Sequence, residues 1–430
     1  VPVAGSTTAV ETVFRMEFPR VVAALARMTN DLDLAEELAQ EALVDALLQW
    51  PRDGVPANPG AWLTTVGKRK AIDRFRRNHK LADKYAQLGR ALELGGAHSA
   101  GPNLDDEVLD DDRLRLIFVA CHPLLPLVSR VALTLRLVGG LTTAEIARAY
   151  VLPEPTIAQR IVRAKRSIAK AGVPFEVPEG EERAARLGSV LEVIYLIFNE
   201  GYSATTGEDW LRPELCAEAL RLGRVLAAIV PDDAEVHGLV ALMELNSSRL
   251  RARVGTGGAV VVLADQDRRR WDRLLIARGE AALRRAYEVS RTRGPYVLQA
   301  AIALCHARAF RPEETDWDEV VALYDALALA MPSPIVELNR AVAISMASGP
   351  AAALPLVEQL VGLGALEHYH LLHAVRGDLL DKLGRHSEAV AAFGRGAALA
   401  QNTPERELLR RRAAGSATRV PTGTDDYQSA

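Results

Sequence analysis

Ala, Leu, Arg and Glu recur at three- and four-residue spacings along almost the whole chain, which is the pattern of amphipathic helices. Alternation with β-branched residues is confined to a short run around Ala259 to Leu263. The pattern therefore predicts an all-α protein. Two stretches interrupt it. Gly95 to Asp112 is rich in Gly, Ser, Pro and Asp, and Gly172 to Gly180 contains two prolines, so both read as linkers. They divide the chain into a helical unit to about residue 90, a middle unit over 113–171 and a long remainder from about residue 184.

In the first unit, Asp33 and Glu36 have capping-box spacing, which predicts a helix start there. Ala35, Leu38, Ala39, Ala42, Ala46, Leu47 and Trp50 then share one face, while Asp33, Glu36, Glu37, Gln40, Glu41 and Asp45 gather on the other. Taken alone, such an acidic face is read first as a solvated surface. Pro51 is expected to end the helix, and Pro51 to Pro59 reads as a loop. The next helix opens at Pro59, where proline fits because first-turn N–H groups are unpaired anyway. Leu63, Val66, Ile72 and Phe75 can face a core, leaving Lys68, Arg69, Arg76 and Arg77 to project. A cationic helix of this kind can neutralise phosphates and release counterions.

The middle unit holds a helix-turn-helix pattern between Gly139 and Lys170. Thr142 or Thr143 can cap a helix containing Ala144, Glu145, Ile146, Ala147 and Tyr150; Val151, Leu152 and Pro153 make the turn. The second helix, from about Glu154, carries Ile157, Ile161 and Ile168 inward and Gln159, Arg160, Arg163, Lys165 and Arg166 outward. Docked in a major groove, its early residues Glu154, Thr156, Ala158, Gln159 and Arg160 meet base edges, and Arg163, Lys165 and Arg166 meet phosphates. A plain three-helix bundle with a basic face is the competing reading.

Charge supports separable modules. The formal net charge of −3 conceals a block from Lys68 to Lys84 with eight basic residues, and Arg160 to Lys170 contains bases and no acid. Between them lie Asp105, Asp106, Glu107, Asp110, Asp111 and Asp112. At 430 residues the chain exceeds one ordinary domain. No apolar run approaches the roughly 18 residues of a membrane span and no signal-peptide pattern opens the chain, so a cytoplasmic protein is expected. Cys121, Cys216 and Cys305 form no metal or disulfide pattern and are expected as buried thiols. No cofactor and no catalytic residue is expected.

The order of these parts resembles the extracytoplasmic-function (ECF) sigma factors, promoter-specificity subunits of bacterial RNA polymerase. The resemblance rests on the run Asp33 to Ala42, on Pro59-Gly60-Ala61-Trp62-Leu63 followed by Ala71 to Arg77, and on Gly140 to Ala147 through Arg163-Ala164-Lys165-Arg166. It implies sigma region 2 over 10–90, an acidic linker over 91–112 and sigma region 4 over 113–171. It further implies that Asp33, Glu36, Glu37, Leu38, Gln40 and Glu41 bind the polymerase core. Asn58, Trp62, Lys68, Arg69, Arg74, Arg76 and Arg77 would meet minus-10 DNA, with the loop Pro51 to Asn58 as the pocket for a flipped base. Thr156, Gln159, Arg160, Arg163, Lys165 and Arg166 would meet minus-35 DNA. Arg69 stands where many members have Asn, and Pro155 is unusual in the recognition helix; both bear on promoter choice.

In the remainder, Gly377, Leu380, Gly384, Ala389, Phe393 and Gly396 have the small and bulky spacing of a tetratricopeptide repeat, with Leu338, Ala341 and Ala352 suggesting a poorer copy. A helical-repeat (TPR-like) extension over 184–415 is expected. Leu196 to Tyr202 and Asp265 to Asp272 resemble motifs of the sigma subgroup that carries such an extension, which implies that the extension regulates or supports activity through contacts with the sigma domains. Asp265, Asp267 and Asp272 can be read as metal ligands, but interleaved Arg268, Arg269, Arg270 and Arg273 favour ion pairs. The expected partners are polymerase core and promoter DNA. Two other classes remain: a repeat scaffold with a helix-turn-helix that does not bind polymerase, and a hydrolase built on Asp265 and Asp267.

Overall fold

A computed structural model describes residues 4–77, 104–150, 152–203, 211–255, 259–364 and 366–420. Its described residues form eighteen α-helices and four short 3-10 turns; the expected strand run contributes only an isolated bridge, Val254 to Val260. The protein is all-α. The chain divides into two compact units, 1–197 and 198–430.

In the first unit, α1 (Ala4–Thr29) packs on α2 (Leu32–Asp53), α3 (Pro59–Arg77) and α4 (Leu104–Ala120). The core between them is made by Phe18, Val21, Val22, Leu25, Leu38, Leu63 and Leu116. Helix α5 (Leu127–Leu137) packs on α7 (Glu154–Ala171), and α6 (Thr143–Tyr150) on both. Helix α8 (Gly180–Tyr202) joins this unit through its first half: Arg186 donates to the Phe118 carbonyl at 3.1 Å, and the Ser189 hydroxyl to that of Cys121 at 2.6 Å. Residues beyond Gly180, expected to open the extension, thus pack against α4.

Several local expectations need correcting. The cap of α2 is Asp31, which accepts from the N–H groups of Asp33 (2.9 Å) and Leu34 (3.1 Å). Glu36 has turned away to other partners. Pro51 does not end α2; the helix runs to Asp53 and Gly54, at φ 84°, ends it. A proline in the last turn forfeits one N–H bond, a cost the helix tolerates there. The acidic stretch from Leu104 to Asp112, expected as linker, is the start of α4. Asp112 is fully buried, where Arg27 at 3.0 Å and Arg115 at 2.8 Å compensate its charge. The first part of that linker lies outside the described residues, as do Lys80 and Lys84.

The second unit stacks helices in chain order: α9 (Pro213–Ile229), α10 (Ala234–Ser248), α11 (Arg273–Val289), α12 (Pro295–Arg308), α13 (Trp317–Ala330), α14 (Pro334–Ser348), α15 (Pro350–Gly362), α16 (His370–Lys382), α17 (His386–Leu399) and α18 (Thr403–Ala417). Each packs on the next, and α10 also on α12. Such neighbour-to-neighbour packing buries a continuous core that no single helix pair could bury alone. The pair α16 and α17 shows how sequence sets the geometry. Gly384, at φ 76°, makes the turn between them. Gly377 lets the pair close, since a Cβ there would stand 2.7 Å from the Phe393 ring. Gly377→Ala should therefore destabilise by about 1–3 kcal/mol through overpacking. Gly394→Ala, on the same helix pair with nothing within 4 Å, should be neutral or stabilising. Thermal unfolding of the two variants checks this contrast.

The three cysteines are buried and unpaired. Burial pushes the thiols of Cys121, Cys216 and Cys305 each up to about 12. A thiolate is the reactive form, so none should react with Ellman's reagent at pH 8 until the protein is unfolded, when all should. A fast-reacting thiol in the native protein would contradict this burial.

Candidate nucleic-acid interface

The helix-turn-helix is built locally. Thr142 and Glu145 form a reciprocal capping box: the Thr142 N–H donates to the Glu145 carboxylate at 2.8 Å, and the Glu145 N–H to the Thr142 hydroxyl at 3.1 Å. The Leu152 N–H donates to the Ala147 carbonyl at 2.9 Å within the turn. Pro153 caps α7, with Pro155 accommodated in its first turn. Gly172, at φ 62°, ends it. Ile157, Ile161, Ala164 and Ile168 are buried beneath this helix.

Its other face is cationic. Gln159, Arg163 and Arg166 are exposed, and Thr156 and Arg160 half-exposed. Among the described residues, Arg160, Arg163 and Arg166 make no ion pair. A row of uncompensated guanidinium groups over a packed apolar face suits phosphate and base-edge contact.

Lys165 departs from the expectation that it points outward. It is buried, and its Nζ donates to Asp33 at 2.5 Å and to Glu36 at 2.7 Å. Glu36, also buried, accepts from Arg136 of α5 at 2.6 Å and from Gln40 at 3.2 Å. The reason is geometric: α2 lies against α7, and a carboxylate removed from water requires cations beside it. Burial acts to lower the Lys165 pKa, but Glu36 and Asp33 outweigh it and hold the ammonium above its ordinary 10.5.

The remaining acidic face of α2 is likewise engaged. Arg74 reaches Glu37 at 2.9 Å, and Lys70 reaches Asp45 at 3.0 Å and Glu41 at 3.5 Å. Leu38, expected among the polymerase-contacting residues, is fully buried in the core and has no outward surface. Asp33, Glu37 and Gln40 keep exposed surface. On α3, Arg69 and Arg76 are exposed, Lys68 half-exposed. Arg77 closes the helix, and its side chain lies outside the described atoms. Asn58 caps α3 by accepting from the Ala61 N–H at 3.0 Å, and Trp62 meets Trp50 edge-on at 5.4 Å. Arg136 escaped the sequence reading, although a lone charge in the apolar run Val131 to Leu137 signals a buried partner.

Outside this face, two of the three aspartates that suggested a metal are structural. Asp267 accepts from the N–H of Arg269 and pairs with its guanidinium at 3.0 Å, and Asp272 caps α11. Glu200 pairs with Arg212, and the Arg253 guanidinium lies 3.6 Å over the Tyr202 ring. Among the described residues, no group of three or more His, Cys, Asp or Glu side chains is placed to hold a metal ion. No described helix is long and apolar enough to cross a membrane.

The fold defines a helix-turn-helix protein whose recognition helix carries a cationic face. Residues 13–81 match Sigma-70 region 2, residues 115–168 match Sigma-70 region 4, and residues 186–287 match a family of unknown function (DUF6596). The chain is 46% identical over 404 residues to an uncharacterized protein, R00370, of Rhizobium meliloti (strain 1021), covering 91% of this chain and 92% of that protein. It is 29% identical over 154 residues to the ECF RNA polymerase sigma factor SigK of Mycobacterium ulcerans (strain Agy99), covering 35% of this chain and 78% of SigK. The SigK of Mycolicibacterium vanbaalenii is also 29% identical, over 157 residues, covering 35% of this chain and 75% of that protein. No solved structure matches. The chain thus carries the two sigma-70 regions, resembles ECF sigma factors over them, and continues into a C-terminal extension; these matches support a sigma-factor role in transcription initiation.

Proposed function

We propose that the chain directs RNA polymerase to specific promoters through α7 and helps open them through α3, while its extension supports or regulates that activity. The observation that carries this reading is the row of exposed Gln159, Arg163 and Arg166 and half-exposed Arg160, without an ion pair among the described residues, over the buried isoleucine face of a helix-turn-helix. Thr156 and Arg160 stand at the base-edge end, and Arg163 and Arg166 at the phosphate end. On α3, Trp62, Lys68, Arg69, Arg74, Arg76 and Arg77 would meet the minus-10 strand, with Asn58 at the head of the helix. On α2, Asp33, Glu37, Gln40 and Glu41 are the polymerase-docking residues. Because Asp33 and Glu36 are held by Lys165 and Arg136, we take this conformation as the polymerase-free one: binding to polymerase would exchange these internal ion pairs for external ones.

Run-off transcription with core polymerase on fragmented genomic DNA tests the proposal. The full-length chain should add discrete transcript starts that share upstream elements. Core polymerase that gains no such starts would refute the reading, and failure to co-purify with core would favour a repeat scaffold instead. Full-length protein compared with a chain ending at Ile197, which keeps α8 on α4, reads the part played by the extension.

A further inference from the structure

The second unit contains a cavity of about 300 Å³ that the sigma function does not use. It lies among α12, α13, α14, α16 and the 3-10 turns around Leu263 and Arg268, with Arg412 of α18 at its edge. Its walls are mainly apolar: Leu263, Trp317, Val342, Met346, Ala374 and Leu379. That size sits at the small end of small-molecule pockets, which combine apolar walls with a few convergent polar groups.

The polar groups here have unused capacity. Arg268 is 4% exposed, yet makes no ion pair among the described residues. Three of its five donors are used, on the carbonyls of His306 (2.9 Å) and Ala309 (3.0 Å) and the Thr315 hydroxyl (3.1 Å). Its Nε is buried without a partner. A buried guanidinium that lacks a carboxylate is costly unless another anion arrives. Beside it, the His306 ring stands edge-on to Trp317 at 5.2 Å, and its Nδ1 is also buried without a partner. Burial and the charges of Arg249 and Arg268 push His306 down to about 3, so the ring is neutral and adds no competing charge. The other cations at the cavity, Lys382 and Arg412, are already paired with Asp378 at 2.8 and 3.3 Å. Arg268 is thus the cation left for a ligand.

We propose that this cavity is a binding site for a small apolar carboxylic acid, its hydrocarbon or aromatic body among Trp317, Val342, Ala374 and Leu379 and its carboxylate on Arg268. The matched charge, rather than apolar area, gives the site its selectivity, because a charge-assisted bond in a dry pocket is stronger than a neutral one. An uncharged amide of the same shape retains the apolar contacts and loses the ionic one. The site is independent of the DNA-reading face, so its failure would leave the sigma assignment intact.

Titration calorimetry on the full-length chain tests the proposal with three matched pairs: phenylacetate and phenylacetamide, indole-3-acetate and indole-3-acetamide, octanoate and octanamide. At least one acid should bind at one site per chain, about tenfold or more tighter than its amide. Arg268→Gln should reduce that acid to the affinity of the amide. Since Arg268 also ties two carbonyls, Ala374→Trp is the second variant: it fills the cavity from α16, keeps Arg268, and should abolish binding. The proposal is overturned if none of the acids binds, if acid and amide bind alike, or if Ala374→Trp binds the acid as the unaltered chain does.

Discussion

Glu36→Gln is expected to destabilise the first unit by about 3 kcal/mol, the lower end of what removing one partner from a buried ion pair costs. Among the described residues, Lys165 would keep Asp33, which is largely exposed, and Arg136 would keep the Leu141 carbonyl at 3.0 Å and the Phe18 ring at 5.7 Å. Buried Lys165 would then depend on one solvent-weakened carboxylate, and half-buried Arg136 would lose its carboxylate partner. Urea unfolding should show a lower midpoint, and amides of α7 should exchange faster while those of the α1 core stay protected. Glu37→Gln serves as the contrast, because the Arg74 pair is exposed on both sides and such pairs contribute about 0–1 kcal/mol. Equal midpoints for the two variants would show that the cluster holds nothing together.

The pH dependence of the same contact has a definite sign. The folded-state pKa of Lys165 is raised, so its contribution is fully present below the ordinary lysine value of 10.5 and is lost as pH rises through the higher folded value. Neutral and mildly alkaline solutions should therefore leave it unchanged. Lys165→Met should remove whatever part of the alkaline instability above about pH 10.5 belongs to this group.

Arg160→Ala combined with Arg163→Ala should produce the largest functional effect. Loss of one base-edge contact costs about 1–3 kcal/mol, about 5- to 150-fold in affinity. Loss of one phosphate contact should also lower the salt dependence of binding by about one unit of slope. Neither side chain takes part in an ion pair among the described residues, so unfolding midpoints and association with core polymerase should stay near those of the unaltered chain. Footprinting of the upstream promoter element at several salt concentrations checks the first two expectations, and thermal unfolding with a core pull-down checks the third. A normal footprint would place DNA reading on a different element.

Much of the fold was legible because its signals are local. The threonine cap at Thr142 or Thr143, the turn at Pro153, the break at Gly172 and the isoleucine face of α7 all act within one or two turns of backbone, so spacing alone reveals them. The same holds for Gly377, Gly384 and Phe393 in α16 and α17. Helix ends were read less well. Asp31 competed with Asp33 for the cap of α2, and the acidic stretch before Asp112 has the composition of a linker although α4 begins in it.

Which charges are available for partners was decided by packing. Lys165, Arg163 and Arg166 look equivalent along α7, but Lys165 alone faces α2 and meets Glu36 across 129 positions of chain. Helical periodicity assigns a side chain to a face; it does not say which other helix covers that face. The cavity in the second unit follows the same rule, since Arg268, His306, Ser345 and Asp378 come from separate helices and turns. Sequence by itself determined the helices, the helix-turn-helix and the sigma family resemblance, all set by short-range backbone and side-chain preferences. Tertiary structure alone decided that Glu36 and Lys165 neutralise each other and that buried Arg268 makes no ion pair among the described residues, because burial and Coulombic pairing depend on distances through space.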